Sequence, residues 1–285
     1  MNKEQQQRET VPREIESHTS KGVWALYQQS LKPNDSIFNN YLARPLAAPL
    51  VYLLAKTRLT PNLVTFISTL IMLIALILFV SVSGPLGVAM GIIGIELSYI
   101  FDCVDGQLAR VTGRSSEVGG DLDFMMDELK AYLLLVALGF RGTFIDEGLG
   151  WFIPEVWTFN LSLWPLFCAI LSLMITASAI TLTRFIRSER YAIATGGVAQ
   201  KHGQSAGEGR SGGFLWPVKM AARLITQYPA SIPLFAITNC LDLFLYAYGV
   251  LHLLYVAQAS LGIFIKLGHL APQQNASNHE AREQR

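Results

Sequence analysis

Residues 63–80, LVTFISTLIMLIALILFV, run without a single charged side chain. A stretch of that length and apolarity can cross the hydrocarbon core of a bilayer as one helix. In lipid the backbone must satisfy its own hydrogen bonds, so helix is the form open to it. Further apolar stretches follow at about 85–101, 129–140, 161–182, 231–247 and 250–265. The 285-residue chain, 51% hydrophobic and 15% charged, therefore reads as an all-α integral membrane protein with no soluble core. A net charge of +1 gives no basis for binding nucleic acid. The first forty residues are polar, which does not fit a cleaved signal peptide. Cys103, Cys168 and Cys240 have no metal or redox spacing and are expected to pack as small apolar residues.

Six spans are expected, at about 62–82, 85–110, 116–140, 159–186, 229–246 and 248–268. Thr60 and Pro61 make an N-cap and first helical position for the first. Gly84-Pro85 separates the first from the second, and Tyr246 to Gly249 is a candidate turn between the last two. Of the 22 Lys and Arg, only Arg141 falls on the far side if the N-terminus is cytoplasmic, with Lys130 inside the third span. That asymmetry places both termini and the 111–115 link in the cytoplasm.

Three units follow: a polar N-terminal tail at 1–34, a membrane domain at 35–268 and a polar C-terminal tail at 269–285. Residues 1–20 and 271–285 are polar enough to be expected disordered. About 35–58 reads as an amphipathic helix on the membrane surface, its basic residues Arg44, Lys56 and Arg58 turned to headgroups; an ordinary short span is the alternative. Residues 191–213 read as a Gly/Ser-rich loop and 214–229 as a second interfacial helix. Gly87 and Gly91 form a G-x-x-x-G suited to helix packing. His252 and the nearby aromatics read as packing or belt residues.

The least expected stretch is DCVDGQLARVTGRSSEVGGDLDFMMDE, residues 102–128. Asp102 and Asp105 are three apart at the end of the second span; Asp123 and Asp127 are four apart in the first turns of the third. Each spacing puts both side chains on one helical face. On adjacent antiparallel helices the two faces meet across a cleft, where four carboxylates repel one another. A divalent cation resolves that repulsion, and an all-oxygen set suits Mg²⁺ or Mn²⁺. Gly106, Gly119 and Gly120 permit close approach of a ligand. Arg110 offers a fork for phosphate oxygens. Together these residues read as phosphoryl-transfer machinery.

The pattern D-x-x-D-G-x-x-A-R-x8-G-x-x-x-D-x-x-x-D is met at Asp102, Asp105, Gly106, Ala109, Arg110, Gly119, Asp123 and Asp127 without departure. It resembles the signature of the class I CDP-alcohol phosphotransferases (CDP-alcohol phosphatidyltransferases). LTPNLVT, residues 59–65, is similar to the start of that family's first span, and the likeness covers roughly residues 35–268. The resemblance implies transfer of a substituted phosphate from a CDP-linked donor, above all CDP-diacylglycerol, to the hydroxyl of a polar alcohol, with release of CMP in phospholipid biosynthesis. It implies that Asp102, Asp105, Asp123 and Asp127 hold Mg²⁺ or Mn²⁺. Asp127 would serve a second metal position, act as general base, or both. Asp105, Gly106, Ala109, Arg110 and Gly119 would embrace the nucleotide. A homodimer in a bacterial cytoplasmic membrane, active site to the cytoplasm, is the expected assembly.

Other residues stay open at this stage. Arg184 and Arg187 either end the fourth span as a positive-inside stop or grip a phosphate on the acceptor, which would favour glycerol phosphate or inositol phosphate. The N-terminal stretch 38–65 is faintly similar to the branch that uses inositol phosphate. Lys130 pairs with Glu128 or Asp127, snorkels, or meets the acceptor. Glu117, Asp121 and Glu128 match no signature position and read as N-terminal or solvated charges. Glu96 and Asp242 are intramembrane acids, buried or lining a cavity. A CDP-choline or CDP-ethanolamine donor with diacylglycerol as acceptor keeps the same machinery. A cation transporter would explain the carboxylates but not the glycines, Ala109 and Arg110.

Overall fold

The structure is a computed structural model of the chain and describes residues 22–30, 38–145, 163–195, 221–222 and 224–283. All regular elements among them are helical. In chain order they are α1 (Val23–Ser30), a π-helical turn (Asn39–Ala43), α2 (Arg44–Leu54), α3 (Pro61–Ser81) and α4 (Gly84–Val111). Then come α5 (Glu117–Phe144), α6 (Trp164–Arg187), α7 (Glu189–Ala194), α8 (Tyr228–Ile237) and α9 (Leu241–Glu283). The expected loop at 191–213 is still helical in α7 up to Ala194 and lies outside the described residues beyond Thr195, as do 214–220 and 223 of the expected second interfacial helix.

Four of these helices, α3, α4, α6 and α9 over Leu241–Lys266, are long and apolar enough to cross a membrane. The chain is an integral membrane protein. Helix α5 is as long as α4, at 28 residues, but carries seven charged side chains, so composition alone does not mark it as a span. Helix α8 has ten residues, about 15 Å at 1.5 Å per residue. That is half the hydrocarbon thickness of about 30 Å.

The first two spans start and stop where the sequence says. The Thr60 hydroxyl accepts from the Leu63 N–H at 3.3 Å, with Pro61 opening α3. Gly84 turns the chain into α4 with φ +72°. Ser68 and Ser98 then zip α3 to α4: each hydroxyl donates to the other residue's carbonyl at 2.9 Å. Gly91 lets the two helices close, since a Cβ there would sit 2.6 Å from Cβ of Phe79. The packing role of the G-x-x-x-G holds.

Two expectations about the last spans give way. No turn forms at Tyr246–Gly249, and no single helix covers 229–246; the break lies at Thr238–Cys240. Asn239 takes φ +55°, and the Cys240 N–H reaches back to the Phe235 carbonyl at 2.8 Å. This is the left-handed cap that closes a helix, with Asn in place of the commoner Gly. Gly249 serves contact instead: a Cβ would lie 2.5 Å from Oγ of Ser172, so α9 and α6 pack there. The second correction concerns 271–285: the backbone stays helical through Glu283. APQQNASNHEARE offers Ala, Gln, Glu and Arg, all good helix formers.

Arg44 does not face headgroups. It is buried, and Nη1 donates to the Ser30 carbonyl at 3.2 Å. The reason lies at the end of α1, whose last carbonyls lack helical partners and need donors. Lys56 stays exposed over the Tyr52 ring. At the opposite end, Arg141 of α5 is buried against the α3–α4 turn. It donates to the carbonyls of Phe79, Val82 (2.9 Å) and Gly84 (2.8 Å), and its guanidinium lies over the Phe79 ring. Arg141 therefore caps the end of α3 and the turn into α4.

Arg141→Leu should leave those carbonyls without donors and destabilise the protein by about 2–3 kcal/mol. Arg141→Lys should recover only part, because an ammonium lacks the planar fork. Thermal unfolding of both variants in detergent micelles measures this.

Candidate active site

The site depends on a short turn. Helix α4 ends where Gly113 takes φ +64°, and the Arg114 N–H bonds the Ala109 carbonyl at 3.0 Å. Ser116 then caps α5, its hydroxyl accepting from the Gly119 N–H at 3.0 Å. A Cβ on Gly119 would lie 2.9 Å from that hydroxyl and 3.2 Å from Oδ1 of Asn62. Glycine is required there by the cap itself and by the start of α3. The turn sets the last turns of α4 beside the first turns of α5.

That placement brings carboxylate oxygens of Asp102, Asp123 and Asp127 within 4.8 Å of one another. An all-oxygen set at this spacing fits a hard divalent cation such as Mg²⁺ or Mn²⁺. Asp105 stands apart from the three. It is buried, and its Oδ2 accepts from the Thr65 hydroxyl at 2.5 Å. It stays within electrostatic reach of Asp102, Asp123 and Lys130.

Beside the aspartates lies a cleft of about 170 Å³. Asp105, Gly106, Ala109, Arg110, Gly119 and Asp123 all line it. Asn62, Thr65, Arg114 and Ser116 join them, and the signature pattern does not contain these four. Asn62 and Thr65 fall within LTPNLVT, so that stretch was the available signal. The Arg110 guanidinium lies over Gly106, whose Cβ would sit 3.4 Å from Nη1. Its Nε donates to the Ser30 carbonyl at 2.9 Å, the same oxygen that Arg44 holds. Gln107 ties α4 to α2 through the Arg44 carbonyl, and the Tyr27 hydroxyl bonds the Asn40 carbonyl at 2.7 Å. Helix α1, inside the expected polar tail, is therefore a brace for a cleft residue.

Lys130 lies deep, 1% exposed, with Nζ donating to Asp102 and, at 3.2 Å, to Asp127. Of the two partners the sequence offered it, Asp127 is the one it meets, and Glu128 is taken elsewhere. Arg184 pairs with Glu128 at 2.9 Å and stacks over the Phe124 ring. Glu128 is thus no solvated charge; the end of α6 brings it a guanidinium. Arg187 is half-buried near the same end. Asp242 is buried in the first turn of α9, and His252 bonds the Tyr248 carbonyl through Nδ1 at 2.8 Å. Neither belongs to the cleft.

A search of curated proteins gave no match to the chain. The family model described as CDP-alcohol phosphatidyltransferase matches residues 58–259, which holds the whole signature and all four helices of membrane-spanning character through most of their length. The chain belongs to the CDP-alcohol phosphatidyltransferase family, transferases that move a phosphatidyl group from a CDP-alcohol and generally depend on a divalent metal.

Proposed function

We propose that this protein transfers a phosphatidyl group from CDP-diacylglycerol to the hydroxyl of a polar alcohol and releases CMP. The observation that carries the reading is the junction of two sites. The cleft lined by Gly106, Ala109, Arg110 and Gly119 adjoins the aspartates of α4 and α5. The first suits a nucleotide and its phosphates, the second a cation able to meet them.

Asp102, Asp123 and Asp127 would hold Mg²⁺ or Mn²⁺, with Asp105 at the cleft side of the set. When bound, the metal would draw charge from the diphosphate and improve CMP as a leaving group. Arg110 would hold the phosphate oxygens as a fork, its plane fixed by the Ser30 carbonyl. Small side chains at 106, 109 and 119 would leave room for the nucleotide against the helix backbone. Asp127, 47% exposed and one turn beyond Asp123, would take the proton of the attacking hydroxyl. The hydroxyl oxygen then bonds the lipid-bearing phosphorus while the anhydride bond to CMP breaks.

Arg184 and Arg187 would meet a phosphate on the acceptor, favouring glycerol phosphate or inositol phosphate. The half-exposed Arg184 guanidinium, anchored by Glu128 one residue from Asp127, supports this. Lys130 is too deep to share that role. The cleft opens to the cytoplasm on this reading, with both termini on the same side, in a homodimer of the bacterial cytoplasmic membrane; the support for sidedness is the bias of Lys and Arg.

Purified protein with Mg²⁺ should release CMP from CDP-diacylglycerol only when an alcohol acceptor is present. Product mass across a panel of alcohols names the acceptor. Release instead from CDP-choline or CDP-ethanolamine with diacylglycerol would reverse the cargo, and cation flux into liposomes without nucleotide would point to transport.

Asp127→Asn should cut kcat by at least about 10²-fold, the usual worth of a positioned base, while CDP still binds in calorimetry. Normal turnover removes Asp127 as the base. Arg184→Ala should raise KM for a phosphorylated acceptor about tenfold and leave KM for the CDP donor unchanged, as expected for a lost charge-assisted contact. Equal KM values for the acceptor would end the clamp.

A further inference from the structure

We infer that Arg44 is a positioning residue for the CDP-linked donor, acting through Arg110 without lining the cleft itself. The inference rests on the transferase reading above and extends its donor site to α1 and α2. Ser30 ends α1, and its carbonyl oxygen accepts from two guanidinium groups: Nε of Arg110 at 2.9 Å and Nη1 of Arg44 at 3.2 Å. Gln107, one turn before Arg110 on α4, donates through Nε2 to the Arg44 carbonyl at 3.3 Å. Three elements are thus joined in a closed ring of bonds: α1 through Ser30, α2 through Arg44, and α4 through Gln107 and Arg110. Ser30, Arg44 and Gln107 are all buried. Ser30 and Arg44 precede residue 58, where the family match begins.

Local structure puts Arg44 there. The turn before it, Asn39–Ala43, is π-helical, and the Arg44 N–H closes it onto the Asn39 carbonyl, five residues back. An α-helical turn closes four residues back, so the extra residue shifts the face on which the Arg44 side chain falls by about 100°. Single π turns within helices recur at functional sites. This one is fastened from both sides. The Tyr27 hydroxyl of α1 donates to the Asn40 carbonyl at 2.7 Å, and the Tyr99 hydroxyl of α4 donates to the Asn39 side chain.

The ring decides which part of Arg110 faces a ligand. With Nε engaged by Ser30, Nη1 and Nη2 lie over Gly106 on the cleft wall, where a Cβ would sit 3.4 and 3.7 Å from them. A guanidinium so turned offers its two terminal nitrogens as a fork to a pair of phosphate oxygens. Arg44 contributes by fixing the oxygen on which Arg110 rests. Without it, the end of α1 loses one of the bonds that hold it, and Arg110 must find its orientation on binding, at a cost in rotamer freedom.

The test is a double-mutant cycle on CDP binding, measured by calorimetry on detergent-purified full-length protein with Mg²⁺. Arg44→Met should raise the CDP dissociation constant about tenfold, within the range for side chains that share one hydrogen-bond network. Arg44→Lys, which keeps a cationic donor, should recover part of the loss. In an Arg110→Met background the Arg44→Met change should add nothing, because Arg44 acts through Arg110. Additive losses, or a lower melting temperature with unchanged CDP affinity, would make Arg44 structural only and overturn the inference while the transferase reading stands. Wild-type protein that binds no CDP would overturn both. Should Arg44→Met fail to fold, Tyr27→Phe carries the same test. It removes the tie from α1 to the π-helical turn and should weaken CDP binding about threefold with Arg110 present, and not in the Arg110→Met background. Equal effects in the two backgrounds, or none in either, would overturn the inference.

Discussion

Mutual repulsion among carboxylates at the edge of hydrocarbon governs this molecule. At an effective dielectric of about 20, two unit charges 4.8 Å apart repel by about 3 kcal/mol. Asp102, Asp123 and Asp127 make three such pairs, and Asp105 stands close by. A fold of marginal stability cannot hold that arrangement unless positive charge is built in or bound. Lys130 supplies one charge from within the bundle, and the carboxylate cluster suits a divalent cation as the other. Thr65 relieves Asp105 by hydrogen bonding, which adds no charge to the cleft. The acidic site is therefore poised for a cation by the same forces that would otherwise pull α4 and α5 apart.

The rest of the bundle keeps those two helices from yielding. Glycines and serines draw α3 against α4, so Thr65 and Asn62 reach the cleft from a third helix. Arg141 fixes the far end of α5 to the α3–α4 turn. At the near end the Gly113 turn and the Ser116 cap set the register of Asp102 against Asp123. A slip of one residue would rotate a carboxylate by about 100° and empty the site, so both ends of α5 are anchored.

Legibility in the sequence followed how local the cause was. The spans at 62–82 and 85–110, the Thr60 cap and the Gly84 break follow from runs of neighbours and were readable. So was the eight-position signature, since its spacing encodes two helical faces. Other features depend on partners far along the chain. Arg44 looked like a surface cation because nothing nearby in sequence names Ser30 as its acceptor. Glu128 looked solvated because Arg184 arrives from another helix. Asn239 was passed over as a break since Gly249, a stronger breaker by propensity, lay close to the expected turn. Tertiary contact with Ser172 uses that glycine inside a helix instead. Lys130 had its partner Asp127 in view by helical spacing, but Asp102 became visible only once α4 and α5 were set side by side.

The position of Arg110 carries the physical argument one step further. A phosphate-gripping arginine on a flexible stem loses rotamer freedom each time it closes on a ligand. Here the Nε bond to the Ser30 carbonyl and the packing over Gly106 have already spent that freedom. The carbonyl is itself held by Arg44, and α1 is tied down by Tyr27. These contacts lie before residue 58, outside the stretch that the family model matches. An N-terminal segment with no signature residue thus preorganises one that has it. On the proposed function, affinity for the diphosphate would depend on how firmly α1 sits, since the contacts that hold Arg110 reach back into that helix.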